Sequence, residues 1–190
     1  MATTAPERLY FSNDDEANEL LARDPLALLI GFVLDQQVTV QKAFSSPAEL
    51  RRRLGLLDAE TIAGLEPAEL ERVFAERPAL HRYPGTMARR TQDLCAAVVS
   101  EYGGRAERVW SEAADGRDLE RRLLALPGIG EMKARTLVAV LAKRFGVRPV
   151  GWEEVAPKHR TLGDVDSAQA LEDYQAAKRA YKAKLRAEQG

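Results

Sequence analysis

The run Leu126-Pro127-Gly128-Ile129-Gly130, with Lys133 just behind it, is where residue types and spacing imply chemistry most directly. Glycines at 128 and 130 leave the backbone unshielded and reach conformations closed to residues with a Cβ, so successive N–H groups can point outward at the start of a following helix. That helix start carries partial positive charge and suits a phosphate without a basic surface around it. Lys133 would add a full charge. A G-x-G pattern alone also describes an ordinary helix cap. Here Pro127 ends the preceding apolar stretch, Ile129 is an apolar plug between the glycines, and Glu131 to Phe145 reads as an amphipathic helix. Together these favour a tight hairpin between two helices that holds an anion.

Other candidates lie outside the hairpin. Asp35-Gln36-Gln37 closes the long apolar stretch that begins at Leu28, and Glu153-Glu154 follows Trp152 downstream. A glutamine buried at a helix end needs a hydrogen-bond partner, so Gln36 and Gln37 either bridge helix ends or face a ligand. Tyr83 and Trp152 are large aromatics that either belong to the core or stack on a flat ring.

Helices must position these groups. Apolar residues recur at intervals of three and four almost throughout, and alternating β-branched patterns are nearly absent, so the fold class is all-α. The pattern predicts helices over 14–23, from Pro25 behind an Asp24 cap, over 48–54 opened by Ser46-Pro47, 68–76, about 86–102 ending at Gly103-Gly104, 106–113, 119–125, 131–145 and 167–188. The last carries a basic end of Lys178, Arg179, Lys182, Lys184 and Arg186, which reads either as a solvated face or as a phosphate contact.

Composition sets bounds. With 45% hydrophobic and 30% charged residues in 190, the chain can bury a core as one domain or two packed lobes. A net charge of -1 draws in no polyanion by itself, so a nucleic-acid contact would rest on local geometry. The single cysteine, Cys95, excludes an internal disulfide and a four-cysteine iron–sulfur cluster within the chain. No stretch is apolar enough to span a bilayer, the first residues lack the basic-then-apolar pattern of a secretory signal, and a cytoplasmic location is expected.

The hairpin resembles the helix-hairpin-helix element of the HhH-GPD DNA glycosylases, the superfamily of endonuclease III and the 3-methyladenine DNA glycosylases. Leu28 to Val40 is similar to the early helix of the latter, and Tyr83 to Arg108 followed by Leu119 to Gly130 is similar in order to the approach to the hairpin in the former. The resemblance implies two closely packed helical lobes in a single domain over 1–190. One lobe is expected over about 25–135, with the hairpin at 119–146, and the other from 1–24 together with 136–190. It also implies a monomer that binds double-stranded DNA through Gly128, Ile129, Gly130 and Lys133, with Gln36 and Gln37 at the DNA. Gln37 would fill the gap left by a base rotated out of the duplex, and Tyr83 or Trp152 would stack on that base. A potassium or sodium ion on the hairpin carbonyls would fit the family, and no other cofactor is implied.

The family's chemistry rests on an aspartate about twenty positions after the hairpin, and this chain departs from that pattern. Val150-Gly151-Trp152-Glu153-Glu154 stands there, with no aspartate between Gly130 and Asp164. A carboxylate at Glu153, or Asp35 with or instead of it, would have to stabilise the positive sugar as the base leaves. The lysine of bifunctional members is replaced by Met132, and Lys133, one step on, is turned by about 100° and expected to face away from the pocket. The sequence therefore leaves open monofunctional removal of a damaged base, a DNA-binding module without catalysis, and a protein-interaction scaffold.

Overall fold

The computed structural model describes residues 5–190. Every regular element among them is helical. Helix α1 (Asp15–Arg23) is capped by Asp14, whose carboxylate accepts the N–H groups of Glu16 and Ala17. Asp24 ends α1 and caps α2 (Pro25–Leu34) through the N–H groups of Leu26 and Ala27. Two caps and a proline at the first turn thus hinge the helices within a single residue. All of α2 after Pro25 is buried, which explains its unbroken apolar sequence.

Helix α3 (Val40–Leu54) begins well before the predicted Ser46-Pro47 start and runs through Pro47. A proline inside a helix costs about 3 kcal/mol, while burying one large apolar side chain stabilises by about 1.5–3 kcal/mol. The first half of α3 buries Val40, Ala43 and Phe44, with the Phe44 ring edge-on to Phe11 and Phe32 at 5.1 Å each, so tertiary burial outweighs the local signal. Ser46 assists: its hydroxyl lies 2.7 Å from the carbonyl oxygens of both Lys42 and Leu80 and donates to either. Gly31 is required opposite, because a Cβ there would sit 2.5 Å from the Phe44 ring.

Helices α4 (Ala59–Gly64) and α5 (Pro67–Ala75) pack on the long α6 (Pro84–Tyr102), which ends at Gly103 in the left-handed conformation. The predicted helix over 106–113 shrinks to α7 (Arg108–Ser111). The hairpin follows as α8 (Gly116–Leu124) and α9 (Glu131–Arg144), then α10 (Trp152–Val155), a 3-10 turn (Leu162–Asp164) and α11 (Ala168–Gln189).

The expected lobe boundary at 135/136 falls within α9. Helix α9 is unbroken there and packs with α8, α10 and the 3-10 turn, while α1 packs on α2 and α3. One group is therefore α1–α6 and the other α7 onward. Pro6–Tyr10 reaches across to Arg144 and Val165, and one continuous hydrophobic core links both groups.

Candidate functional site

The hairpin turn is anchored by two buried apolar residues, Leu126 and Ile129, and closed by the Ile129 N–H donating to the Leu126 carbonyl at 3.2 Å. Burying alternate residues turns the others out to solvent, so Gly128 and Gly130 are exposed. The glycines differ in what they contribute. Gly128 has φ +83, and a Cβ there would come within 3.1 Å of Val33, so both the backbone conformation and the approach to α2 demand glycine. Gly130 has φ -85 and ψ -179, ordinary extended backbone, and a Cβ would meet nothing within 4 Å. Its expected conformational role is thus corrected: what it leaves is open space at the cap of α9. The N–H groups of Gly130, Glu131, Met132 and Lys133 have no protein acceptor among the described residues and lie on the first turn of a helix.

Lys133 does not face away, as its phase in the sequence predicts. Its ammonium donates to the Val33 carbonyl at 3.2 Å, and it is Met132 that points into solvent, with 79% of its surface exposed. The reason is that the hairpin docks Gly128 on Val33, which brings the first turn of α9 beneath the C-terminal end of α2, where unpaired carbonyls attract a cation. Burial lowers the Lys133 pKa, Asp35 pulls it back up, and Arg90 pushes it down.

Asp35 occupies the C-terminal end of α2 and is half-buried. Burial raises its carboxyl pKa, with Lys178 and Lys133 pulling in the opposite direction. No protein donor hydrogen-bonds this carboxylate among the described residues. Beside it Gln36 accepts a hydrogen bond from Arg90 at 2.8 Å, whereas Gln37 is exposed with φ 57, an uncommon conformation for a residue with a side chain. The paired glutamines therefore split, one tied to α6 and one presented outward.

His81 holds this bend. It is 2% exposed, its Nε2 lies 3.1 Å from the Leu34 carbonyl and 2.9 Å from that of Gln36, and the Tyr83 N–H donates to its Nδ1 at 3.0 Å. That pattern fixes the neutral ring with its proton on Nε2. Burial, together with Lys133 and Lys42, lowers the His81 pKa against the upward pull of the two carbonyls. Tyr83, 41% exposed at the start of α6, stands at the rim of this cluster beside the Arg82 guanidinium at 5.5 Å.

Glu153 and Trp152 lie elsewhere. Both belong to α10, which packs on α8 and α9 because the Gly116 N–H takes the Val150 carbonyl at 2.8 Å. Glu153 is exposed, the charges acting on Asp35 are those of Lys178 and Lys133, and Trp152 is half-buried against the core. Around the Asp35 bend stand groups without a motif: Arg90, His81 and Lys178. Arg90 is seven residues from Tyr83 on one face of α6, the only periodic signal that could have marked it.

The site is thus a bend at the end of α2 that presents one desolvated carboxylate and one outward glutamine, bordered by Lys133, Arg90 and Lys178 and adjoining unpaired amides of the hairpin. The sequence model of the HhH-GPD superfamily base excision DNA repair proteins matches residues 30–189, and the chain belongs to that superfamily. A comparison with curated proteins finds no match.

Proposed function

We propose that the protein binds duplex DNA through the hairpin and removes a damaged base as a monofunctional N-glycosylase with Asp35 as its carboxylate. The observation that carries this reading is the Asp35 carboxylate, half-buried and without a hydrogen-bond donor among the described residues, at the end of α2 between the cations of α9 and α11. The unpaired hairpin amides would take a phosphate of one strand and fix the duplex against α9. Gln37, already turned outward, would enter the space left by the extruded nucleotide, and Tyr83 at the rim would stack on the displaced base.

As the glycosidic bond lengthens, positive charge develops on the sugar, and an ionised Asp35 stabilises it or orients the attacking water. Lys133 and Lys178 keep Asp35 toward its ionised form despite burial. Among the described residues the carbonyls of Leu124, Pro127 and Ile129 accept no backbone hydrogen bond, which leaves oxygens in the turn suited to a potassium or sodium ion.

A panel of duplexes, each with one lesion, incubated with the protein and heated in alkali tests the reading. Release from one lesion that is lost in Asp35→Asn while duplex binding persists supports it. Binding without release from any lesion favours a non-catalytic module. The inward turn of Lys133 favours a second reading, in which its amine, more readily freed of its proton because of burial, bonds to C1′ of the sugar as the glycosidic bond breaks and the damaged base leaves with the bonding electrons. Borohydride would then trap a covalent protein–DNA adduct that Lys133→Met cannot form.

A further inference from the structure

Helix α11 begins on the body and leaves it. Ala170 and Leu171 are buried and Tyr174 packs on the core, while the side-chain amides of Gln175 and Gln41 bond reciprocally at 2.7 and 2.8 Å. Gln41 lies in the first turn of α3, just past the Asp35 bend, so α11 crosses the body beside the cleft. From Ala176 onward every residue is exposed. The overhang is about 20 Å long at about 1.5 Å per residue.

Two helical turns advance about seven residues on one face. The face that carries Leu171, Tyr174 and Gln175 on the body therefore continues past its edge as Lys178, Tyr181 and Lys182, then Leu185 with Arg186 one turn beyond Lys182, and ends at Glu188, seven residues beyond Tyr181. With Arg179 and Lys184 added, the overhang holds a single acidic residue, Glu188, although the whole chain has a net charge of -1. Tyr181 is 63% exposed, and none of the described residues buries this face beyond Gln175.

We propose that the inner face of the α11 overhang is a second DNA-contact surface, an arm that follows the phosphodiester backbone beside the Asp35 cleft. The proposal rests on the DNA-binding reading and adds a surface to it. Charge complementarity selects the occupant: cations on the face that continues past the edge of the body suit a polyanion, and an apolar partner would meet only Tyr181 and Leu185. A strand places a phosphate about every 3.4 Å, so an arm of this length can follow several of them. The root of the arm, Lys178, already acts electrostatically on Asp35, which joins arm and cleft into one surface.

The test is the salt dependence of binding to a fluorescently labelled duplex. The protein is compared with Lys182→Gln/Arg186→Gln, with the charge-matched control Arg72→Gln/Arg105→Gln, and with the hairpin variant Gly128→Val. Each phosphate contact contributes a slope of about 0.9 in log K against log salt, so the arm variant is expected to lose about 1–2 of slope and roughly tenfold in affinity. The control keeps the slope of the unmodified protein. Equal slopes for the arm variant and the unmodified protein, or an equal loss in the control, overturn the arm. If Gly128→Val still loses binding in that case, the hairpin reading stands alone. Absence of duplex binding by the unmodified protein overturns both. Should Tyr181→Asp dissociate a dimer without changing duplex affinity, the face belongs to a second copy and the arm is overturned.

Discussion

As the proposed catalytic carboxylate, Asp35 would do its chemistry at a cost to the fold. Its folded-state pKa is raised, so its contribution to stability is fully present below the unfolded value near 3.8 and is lost as pH rises through the raised value. Near neutral pH its charge is therefore a net burden, and Asp35→Asn is expected to raise the melting temperature while lowering base release by about 100-fold or more. The acid limb of the rate profile is expected above 3.8, and Lys133→Met should move it higher still by removing a cation that lowers the Asp35 pKa. His81 has the opposite linkage. Its folded-state pKa is depressed below 6.5, so its stabilisation is present above that value and lost as pH falls through the depressed one. Thermal melts between pH 7 and 5 should show this slope, and His81→Leu should flatten it while costing about 1–3 kcal/mol for the polar groups left unpaired.

At the scale of elements, the junction between α2 and the hairpin matters most. Gly128→Val forces a left-handed backbone on a branched residue, at about 1–2 kcal/mol, and presses its Cβ on Val33. Denaturant melts are expected to show that loss, and duplex binding to fall further than stability does, because the unpaired amides of α9 shift with the turn. In α3, Ser46→Ala removes the donor shared by Lys42 and Leu80 and is expected to cost about 1 kcal/mol, since α3 loses its tie to the loop that carries His81. Under the arm proposal, charge on the exposed end of α11 serves binding and not folding, and Lys182→Gln/Arg186→Gln should melt like the unmodified protein.

Over the whole molecule, one hydrophobic core runs through both groups of helices, so unfolding is expected as a single cooperative transition. Cys95 reports on it. The thiol is buried on α6, burial pushes its pKa up to about 12, and a thiol reagent should leave it untouched until the fold opens. Labelling that tracks the loss of helical circular dichroism in one step fits the shared core. Labelling that precedes it would show that the α1–α6 group opens by itself.

The all-α class, the cap at Asp24, and the hairpin at Leu126 to Gly130 were legible in the sequence, because capping, helical periodicity and glycine-marked turns are local properties of neighbouring residues. The start of α3 was misread because burial of Phe44 overrides the proline signal from a distance. The surroundings of Asp35 were not legible at all. Lys133, Arg90, His81 and Lys178 come from α9, α6, the loop before α6, and α11, and only their packing around the end of α2 turns four separate cationic or titratable residues into one environment. The direction of Lys133 shows the division most plainly. Helical phase places it on α9, but the carbonyl end of α2, held there by the contact of Gly128 with Val33, decides where its charge goes.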